Sequence, residues 1–238
     1  MAADDGDELR FCSTCAFSEA CLSQGYDKSA LAQLHVLVEH KGPYAAGQHI
    51  FREGDDFDSV AAVRGGVVKT YRIDRNGREQ VVGFHLPGEM IGFGAIHSAR
   101  YPVSAVALDS ALLCVFSFPK LAMLAACMPT LQHRLFSLMS QDINGALVLA
   151  GDYSADERLA AFLLNVSERL SQRGLSGTCF HLMMARTDIA SYLRLAPETV
   201  SRVLRRMSND GLIEVEGRLV TIRDEQRLHA LGAAVLGR

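Results

Sequence analysis

The sequence has no run of eighteen consecutive apolar residues, and its first residues lack the basic start and apolar core of a secretory signal. These two absences predict neither membrane insertion nor export, so we expect a cytoplasmic protein with no membrane partner. A positive net charge is also lacking, because the formal charge is −3. Residues 1–30 carry six acids against two bases, whereas residues 181–238 carry nine arginines against seven acids. Only the C-terminal end has a charge balance that favours a polyanionic partner.

Cysteines are few, six in 238 residues, but three of them lie within ten positions in "CSTCAFSEAC". In a reducing compartment, clustered thiols bind metals or react in redox chemistry more often than they form structural disulfides. We therefore expect Cys12, Cys15 and Cys21 to bind a ligand. No nucleotide-binding fingerprint or catalytic pair accompanies them, which argues against an iron–sulfur redox enzyme.

The region 42–94 contains ten glycines between short apolar and β-branched runs, namely "QHIF", "SVAAV", "VVKTYRI" and "QVVGFHL". This spacing predicts short strands joined by tight turns, as in a small antiparallel barrel or jelly roll. Asn76-Gly77 predicts a two-residue hairpin turn, since both residues tolerate positive φ angles. The run "SALLCVFSF" at 110–118 predicts another buried strand.

A long helix is predicted to begin at Pro129, where the missing N–H of proline removes no helical hydrogen bond. One apolar stripe on it contains Leu131, Leu135 and Leu138, and we expect this stripe to cover the barrel. A second stripe contains Phe136, Met139, Ile143, Ala146 and Ala150. Its alternating spacing of three and four is that of a coiled coil, which predicts a homodimer seam. The alternative is a helix buried on two sides within its own monomer.

The C-terminal third predicts a winged helix-turn-helix. Ser154 and Glu157 form a capping box that starts one helix. In "RTDIASYLRLAPETVSRVLRRMSNDGLIEVEGRLVTI", Thr187 is placed to cap a short helix, and Pro197 to open a second one. The runs "LIEV" and "RLVTI" then flank Glu216-Gly217 as a small hairpin.

The polar face of the second helix is made by residues at i, i+3, i+4 and i+7, namely Glu198, Ser201, Arg202 and Arg205. Arginine can bind guanine bidentately, glutamate can accept from cytosine, and serine can meet a base or a phosphate. This face is therefore predicted to read base edges, whereas Arg206 and Arg218 are predicted to bind phosphates. The alternative is a solvated face on which Glu198 and Arg202 form an ion pair.

At "PETVSRVLRR" the sequence resembles the CRP/FNR family of bacterial transcription regulators, whose recognition helices carry a Glu-x-x-Ser-Arg core. "GFHLPGEMIGFGAI" is similar to the family's β-roll signature, and "ADERLAAFLLNVSERLSQRG" to its first helix after the dimerisation helix. The resemblance implies an α+β fold, with an N-terminal antiparallel, jelly-roll-like β-roll sensor domain, a long dimerisation helix and a C-terminal winged helix-turn-helix. It also implies a homodimer, not an enzyme, that binds a two-fold symmetric double-stranded DNA operator and contacts RNA polymerase.

The predicted boundaries are residues 1–28 for a cysteine-rich cluster-binding segment, 29–127 for the β-roll, 128–152 for the dimerisation helix and 153–238 for the winged helix-turn-helix. One departure from the family pattern is Arg194, which occupies a turn position where glycine is usual. A second is the segment 143–151, which is shorter than in the family and uncharged. In a homodimer, no acidic side chain of this segment would therefore face the same side chain of the partner across the seam. By resemblance, the expected half-site is TTGAT. Arg202 would contact its guanine, and Glu198 would contact the cytosine or adenine edges nearby.

The branch of the family depends on the sensor. The cyclic-AMP receptor branch has a glutamate just after an Ile-Gly pair and an arginine just before a Ser-Ala pair, where this sequence has Phe93 and Val103. The phosphate of a cyclic nucleotide would meet no positive charge there, so no cyclic nucleotide effector is expected.

The spacing Cys-x₂-Cys-x₅-Cys is similar to that of the oxygen-sensing FNR branch, in which a fourth cysteine lies far downstream in the β-roll. Cys114 matches that position, and the resemblance implies a [4Fe-4S] cluster on Cys12, Cys15, Cys21 and Cys114. Three alternatives remain open: a zinc site, a thiol–disulfide switch between Cys12 and Cys15, and a haem or other small ligand near His97. Cys127 and Cys179 are interpreted as having no part in the site.

Overall fold

The computed structural model describes residues 21–24, 28–148 and 151–237, apart from the side chains of 28–31 and 144–148. Cys12, Cys15 and Ala150 lie outside the described residues, as does the side chain of Ala146. The chain forms two compact units, one made of the described residues up to Arg72 with Gly83–Ser140, the other of Ile73–Val82 with the described residues from Gln141 onward. Within the described ranges, no helix combines the length and apolar character needed to cross a bilayer.

The described residues of the N-terminal part form short antiparallel strands, three α-helices and a short 3₁₀ helix at Phe93–Ala95. The strands are β1 (Val38–Tyr44), β2 (His49–Phe51), β3 (Ser59–Gly65), β4 (Val68–Ile73), β5 (Glu79–His85), β6 (Met90–Ile91), β7 (Ser104–Ala107) and β8 (Ala111–Ser117). The helices are α1 (Lys28–His35), α2 (Phe118–Cys127) and α3 (Pro129–Val148). Two four-stranded sheets, ordered β1-β8-β3-β6 and β2-β7-β4-β5, form the predicted β-roll.

The first sheet contributes side chains to two buried clusters, one on each face, because side chains alternate along its central strands β3 and β8. Ala61 and Val115 point into a cluster shared with β4 and β7 of the second sheet. Val60 and Phe116 point the other way, into a cluster that also holds side chains of α1, α2 and α3. Cys114, one position before Val115, lies on this helix-facing side.

Helix α3 begins at Pro129, as predicted, and shows two different apolar faces. Leu131 and Leu138 are buried in the cluster on the helix-facing side of the β-roll. Phe136 and Ile143, in contrast, are each 62% exposed. Met139, from the same second stripe, packs against that cluster, so the monomer itself covers part of the stripe and leaves Phe136 and Ile143 uncovered.

The C-terminal part contains α4 (Ala155–Ser171), β9 (Cys179–His181), α5 (Arg186–Leu193), α6 (Pro197–Asn209), β10 (Ile213–Glu216), β11 (Leu219–Ile222) and α7 (Glu225–Leu236). The strands form one sheet in the order β10-β11-β9. Helix α4 begins with the predicted capping box, in which Ser154 Oγ accepts from Glu157 N at 3.3 Å and Glu157 Oε2 accepts from Ser154 N at 2.8 Å. This order of elements confirms the winged helix-turn-helix.

The hairpin between β4 and β5 has a longer turn than predicted. Asp74 N donates to Arg78 O at 2.9 Å, which closes a three-residue loop, and Gly77 alone of its residues has a positive φ, 75°. The Asp74 carboxylate accepts from the N–H groups of Arg78 and Asn76, and these bonds lower the pKa of Asp74. The prediction of a two-residue turn was therefore wrong. The Asp74 carboxylate and Gly77 instead stabilise a type I turn followed by a β-bulge.

Two local predictions in the C-terminal unit were displaced. Thr187 does not cap α5, because Ala185 has the extended backbone of an N-cap and the helix begins at Arg186. The wing turn lies one residue later than predicted, since Glu216 still pairs with Leu219. Its two loop residues begin with Gly217, whose φ of 61° suits the first position of a type II′ turn.

Candidate functional site

Helix α6 has one buried face and one exposed polar face. Pro197 occupies its first turn, and Val200, Val203, Leu204 and Met207 are all buried. These four apolar residues attach the helix to the rest of the unit. The opposite face is therefore fixed in orientation, which a surface that reads base edges requires.

The predicted base-reading residues, Glu198, Ser201, Arg202 and Arg205, are all exposed on that face. Arg202 Nη2 donates to Thr199 Oγ1 at 3.4 Å. Glu198 and Arg202 form no ion pair with each other in the part of the chain that the structure describes. The ion pair of that alternative is thus not formed there, and the base-reading role of this face stays a prediction.

Of the two predicted phosphate-binding arginines, one is already paired. Arg206 Nε donates to Asp156 Oδ1 at 3.0 Å, and the Asp156 carboxylate lies in the first turn of α4. Arg218 is exposed in the wing loop. That loop is held from below, because Leu182 N donates to Arg218 O at 2.8 Å.

The turn between α5 and α6 contains a residue with a strained backbone, Arg194. The start of the turn is held by the side chain of Arg158, which we call the arginine clamp. Arg194 is the C-cap of α5 and has left-handed backbone angles, φ 57° and ψ 44°. Arg158 of α4 donates to Leu193 O at 3.2 Å and to Tyr153 O and Gly151 O, both at 2.9 Å. The clamp fixes the end of α5 and so the start of the turn.

Cys114 is half-buried in the middle of the first sheet. It pairs with His40 of β1 on one side and with Ala62 of β3 on the other. Its Sγ lies 3.5 Å from His40 Nδ1. Burial is the main cause that lowers the pKa of His40, with smaller contributions from the charges of Arg64 and His35.

Cys21 is also half-buried, and it opens a turn whose next residue, Leu22, is fully buried. Cys21 and Cys114 both pack against the helix-facing cluster that contains Leu22 and Phe116. Arg134 of α3 donates to the carbonyl oxygen of Cys21 through Nε at 3.2 Å and through Nη2 at 3.1 Å.

No group of three or more histidine, cysteine, aspartate or glutamate side chains could hold a metal ion within the described residues, which exclude Cys12 and Cys15. Cys127 and Cys179 are both exposed. Sequence reasoning missed His40 and Arg134, because neither belongs to a cysteine motif. The β8 pairing that brings His40 opposite Cys114 has no local signal in the sequence.

The β-roll contains a cavity of about 220 Å³ with an acidic lining. Asp55, Asp56 and Asp58 line it, together with Lys41. The charge of Lys41 is shared with Glu39 at 3.3 Å. Phe93, which stands where the cyclic-AMP branch has glutamate, is only 7% exposed.

A β-roll followed by a long helix and an exposed recognition helix with a wing defines a DNA-binding transcription regulator. The family model of the Crp-like helix-turn-helix domain matches residues 157–231, and that of the cyclic nucleotide-binding domain matches 41–126. The fumarate and nitrate reduction regulatory proteins of Salmonella typhimurium strain LT2 and Escherichia coli strain K12 are each 40% identical over 223 residues, 92% of this chain and 89% of theirs. The chain belongs to the CRP/FNR family of transcription regulators.

Among solved structures, FixK2 from Bradyrhizobium japonicum is similar with a TM-score of 0.73 and 29% identity, over 82% of this chain and 96% of that one. This likeness and the relatives confirm the predicted fold class. The relatives are transcription regulators, so the chain is a regulator and not an enzyme. The match to the cyclic nucleotide-binding domain establishes the fold of that region only.

Proposed function

We propose that the chain is an oxygen-responsive transcription regulator. Cys12, Cys15, Cys21 and Cys114 would hold a [4Fe-4S] cluster, and the cluster-bound form is a homodimer that binds a palindromic TTGAT-type operator and contacts RNA polymerase. Oxygen damages the cluster, and DNA is released. The identity with regulators named for fumarate and nitrate reduction supports this proposal.

The observation that carries the proposal is that Cys21 and Cys114 pack against the same buried cluster. They are far apart in the sequence, yet both pack against one buried cluster. Cys12 and Cys15 precede Cys21 closely enough for an extended chain, at about 3.3–3.6 Å per residue, to bring them to the same place. Four thiolates are a complete ligand set for a cluster of this type, so the residues fit.

When bound, such a cluster supplies an oxygen-sensitive inorganic core whose properties depend on its thiolates, its hydrogen bonds and its solvent exposure. Apart from Phe17, the residues that separate the N-terminal cysteines in "CSTCAFSEAC" are small or polar, which leaves little apolar cover. Ligation at Cys21 and Cys114 ties the N-terminal segment to the β-roll. Loss of that ligation would change the order of the N-terminal segment at the point where it contacts α3.

The dimer would form through the exposed face of α3. Phe136 and Ile143 are exposed there, whereas Met139 between them is half-buried and packs against the helix-facing cluster of its own monomer. Ala146 and Ala150 continue the same spacing. A two-fold dimer places two α6 helices about one helical turn of DNA apart, which matches a palindromic operator.

On each half-site, Arg202 would bind the guanine, and Glu198 the cytosine or adenine edges nearby, with Ser201 and Arg205 beside them. Arg206 and Arg218 would bind phosphates and set the register. We expect no cyclic nucleotide effector, because Asp55 and Asp58 line the β-roll cavity beside Asp56, whose charge Arg100 offsets at 3.0 Å, and the other two carboxylates would repel its phosphate.

A zinc- or thiol-based sensor on the same fold is the second candidate. It is favoured by one contact, the 3.5 Å separation of Cys114 Sγ and His40 Nδ1, since cysteine and histidine are the usual zinc ligands. Metal analysis distinguishes the two, because a zinc protein contains no iron and no acid-labile sulfide.

The proposal is tested by operator binding with and without oxygen. Fluorescence anisotropy on a labelled palindromic duplex should give tight binding for anaerobic protein and a large loss after exposure to air. Cys114→Ser should bind weakly in both conditions, whereas Cys127→Ser, which changes an exposed thiol, should behave as the wild type. Equal affinity for the operator before and after air would contradict oxygen control.

A further inference from the structure

We infer that Arg134 is a positioning residue for Cys21, so that the predicted dimerisation helix α3 itself holds one of the cluster ligands in place. The inference rests on the proposed function, in which Cys21 ligates the cluster. It adds a physical connection between that ligand and the helix that would form the dimer seam.

The connection consists of two hydrogen bonds from the Arg134 guanidinium to one carbonyl oxygen, that of Cys21. Both Nε and Nη2 of Arg134 donate to the Cys21 carbonyl oxygen, at 3.2 and 3.1 Å. The same oxygen accepts from Gln24 N at 3.3 Å, which closes the turn 21–24. Bonds from a charged planar guanidinium are stronger and more directional than neutral ones, so they fix the orientation of the peptide that follows Cys21.

Burial of the turn reinforces this contact. Leu22 is 0% exposed and Ser23 only 6% exposed, so the turn is embedded in the first unit. Leu22 lies in the same buried cluster as Leu131 and Leu138 of α3. Arg134 stands between these two leucines at helical spacings of three and four, and therefore on the face of α3 that meets the turn.

One face of helix α3 thus contacts the Cys21 turn, and another face has exposed apolar residues. Phe136 and Ile143, on that second face, are each 62% exposed. A change in the order of the Cys21 turn reaches α3 through Arg134 without passing through the β-roll strands. By linkage, a dimer contact that orders α3 also stabilises the position of the Cys21 ligand.

The first test uses metal-free, reduced protein, so it does not depend on a cluster. Iodoacetamide labelling of each cysteine is followed by mass spectrometry with peptide fragmentation, and Cys127, exposed on α2, serves as the internal reference. Arg134→Gln should raise the labelling rate of Cys21 relative to Cys127 roughly tenfold, the factor expected for a lost charge-assisted hydrogen bond. Arg134→Lys should give an intermediate rate. His133→Gln, a change at the exposed neighbouring position, should give the wild-type rate.

The second test uses protein loaded with iron and sulfide without oxygen. The visible absorbance of Arg134→Gln should decay faster in air than that of the wild type and of His133→Gln. Wild-type labelling of Cys21 in Arg134→Gln would overturn the inference, and so would faster labelling combined with an unchanged decay in air. If the wild type itself binds no iron, the proposed function fails and the positioning role fails with it. Failure of the inference alone is recognised by an iron-loaded wild type whose Arg134 variants are indistinguishable from it.

Discussion

Arg206 of the recognition helix α6 and Asp156 in the first turn of α4 form an ion pair, with Arg206 Nε donating to Asp156 Oδ1 at 3.0 Å. The arginine side chain is half exposed, so its guanidinium can still reach outward. A phosphate that binds Arg206 therefore competes with a carboxylate that already holds it. Because exposed ion pairs of this kind contribute little to stability, a DNA phosphate can displace Asp156 from Arg206 at a small cost in free energy.

Replacement of Arg206 by alanine should weaken binding to all DNA sequences alike. A phosphate contact carries no base information, and its loss removes one released counterion from the binding reaction. The slope of log K against log salt should become shallower by about 0.9. Titrations at several salt concentrations on operator and random duplexes measure both effects, and a loss confined to the operator would refute the phosphate assignment.

Asp156→Asn should have the opposite effect on DNA. Without the carboxylate, Arg206 is released toward the phosphate, and affinity for all sequences should rise. Asp156 also lies at the N-terminus of α4, so its loss should lower stability by about 0.3–1 kcal/mol in a denaturant titration. Asp210→Asn, which removes the same charge at the far end of α6, is the control for net charge and should change affinity less.

Arg202→Ala should relax the preference for guanine at one position of each half-site. A bidentate arginine–guanine contact discriminates by about 1–3 kcal/mol, and alanine has no donor to replace that fork. The measurement compares wild type and variant on operators that carry each of the four bases there. A variant that still prefers guanine as strongly as the wild type would show that Arg202 does not read this base.

Arg194→Gly should stabilise the protein. The left-handed backbone at φ 57° costs an L-residue roughly 1–2 kcal/mol, while glycine adopts it without that cost. Part of the gain is offset by the greater freedom of glycine in the unfolded chain, so we expect a net increase of about 1 kcal/mol. Arg194→Ala keeps the backbone strain but removes the charge, and it should leave the free energy of unfolding nearly unchanged.

Ser154→Ala should destabilise the C-terminal unit by about 1 kcal/mol, because it removes the N-cap of α4. The hydrogen bonds from the Ser154 side chain and from its backbone N–H lower the pKa of Glu157 from its ordinary value of 4.5. A carboxyl with a depressed folded-state pKa stabilises the fold above 4.5, and this stabilisation disappears as the pH falls through the lower folded value. The difference between variant and wild type in chemical denaturation should therefore shrink in acid, and a difference that grows in acid would contradict the capping box.

Ile143→Glu should disrupt the homodimer. The residue is 62% exposed on the apolar face of α3, and two opposed glutamates would repel each other at a dimer seam. Met123→Glu is the matched control, since Met123 is 72% exposed on α2 and outside the predicted seam. Sedimentation should give a monomer for the first variant and a dimer for the second. A dimer that is unchanged by oxygen in the wild type would refute control through association.

Patterns with a strong local cause were predictable from the sequence. Pro197 and the buried side of α6 fixed the recognition helix, and Ser154 with Glu157 fixed the start of α4, because caps and helical periodicity depend on neighbouring residues only. The strand around Cys114 was equally clear, since a continuous apolar run predicts a strand buried on both faces.

Elements stabilised by distant partners escaped prediction. Strand β1 has five exposed residues out of seven, so it shows no apolar alternation and depends on its pairing with β8. Strand β7 has only four residues, all small and buried. The Arg134 contact with Cys21 and the Arg206 contact with Asp156 join positions that no local pattern relates.

Iron and acid-labile sulfide analysis of protein purified without oxygen tests the central claim most directly. The account predicts four iron and four sulfide per chain for a [4Fe-4S] cluster, a brown colour, and loss of both elements in Cys21→Ser and Cys114→Ser but not in Cys127→Ser. Protein that carries zinc, or no metal, in place of iron and sulfide would contradict it.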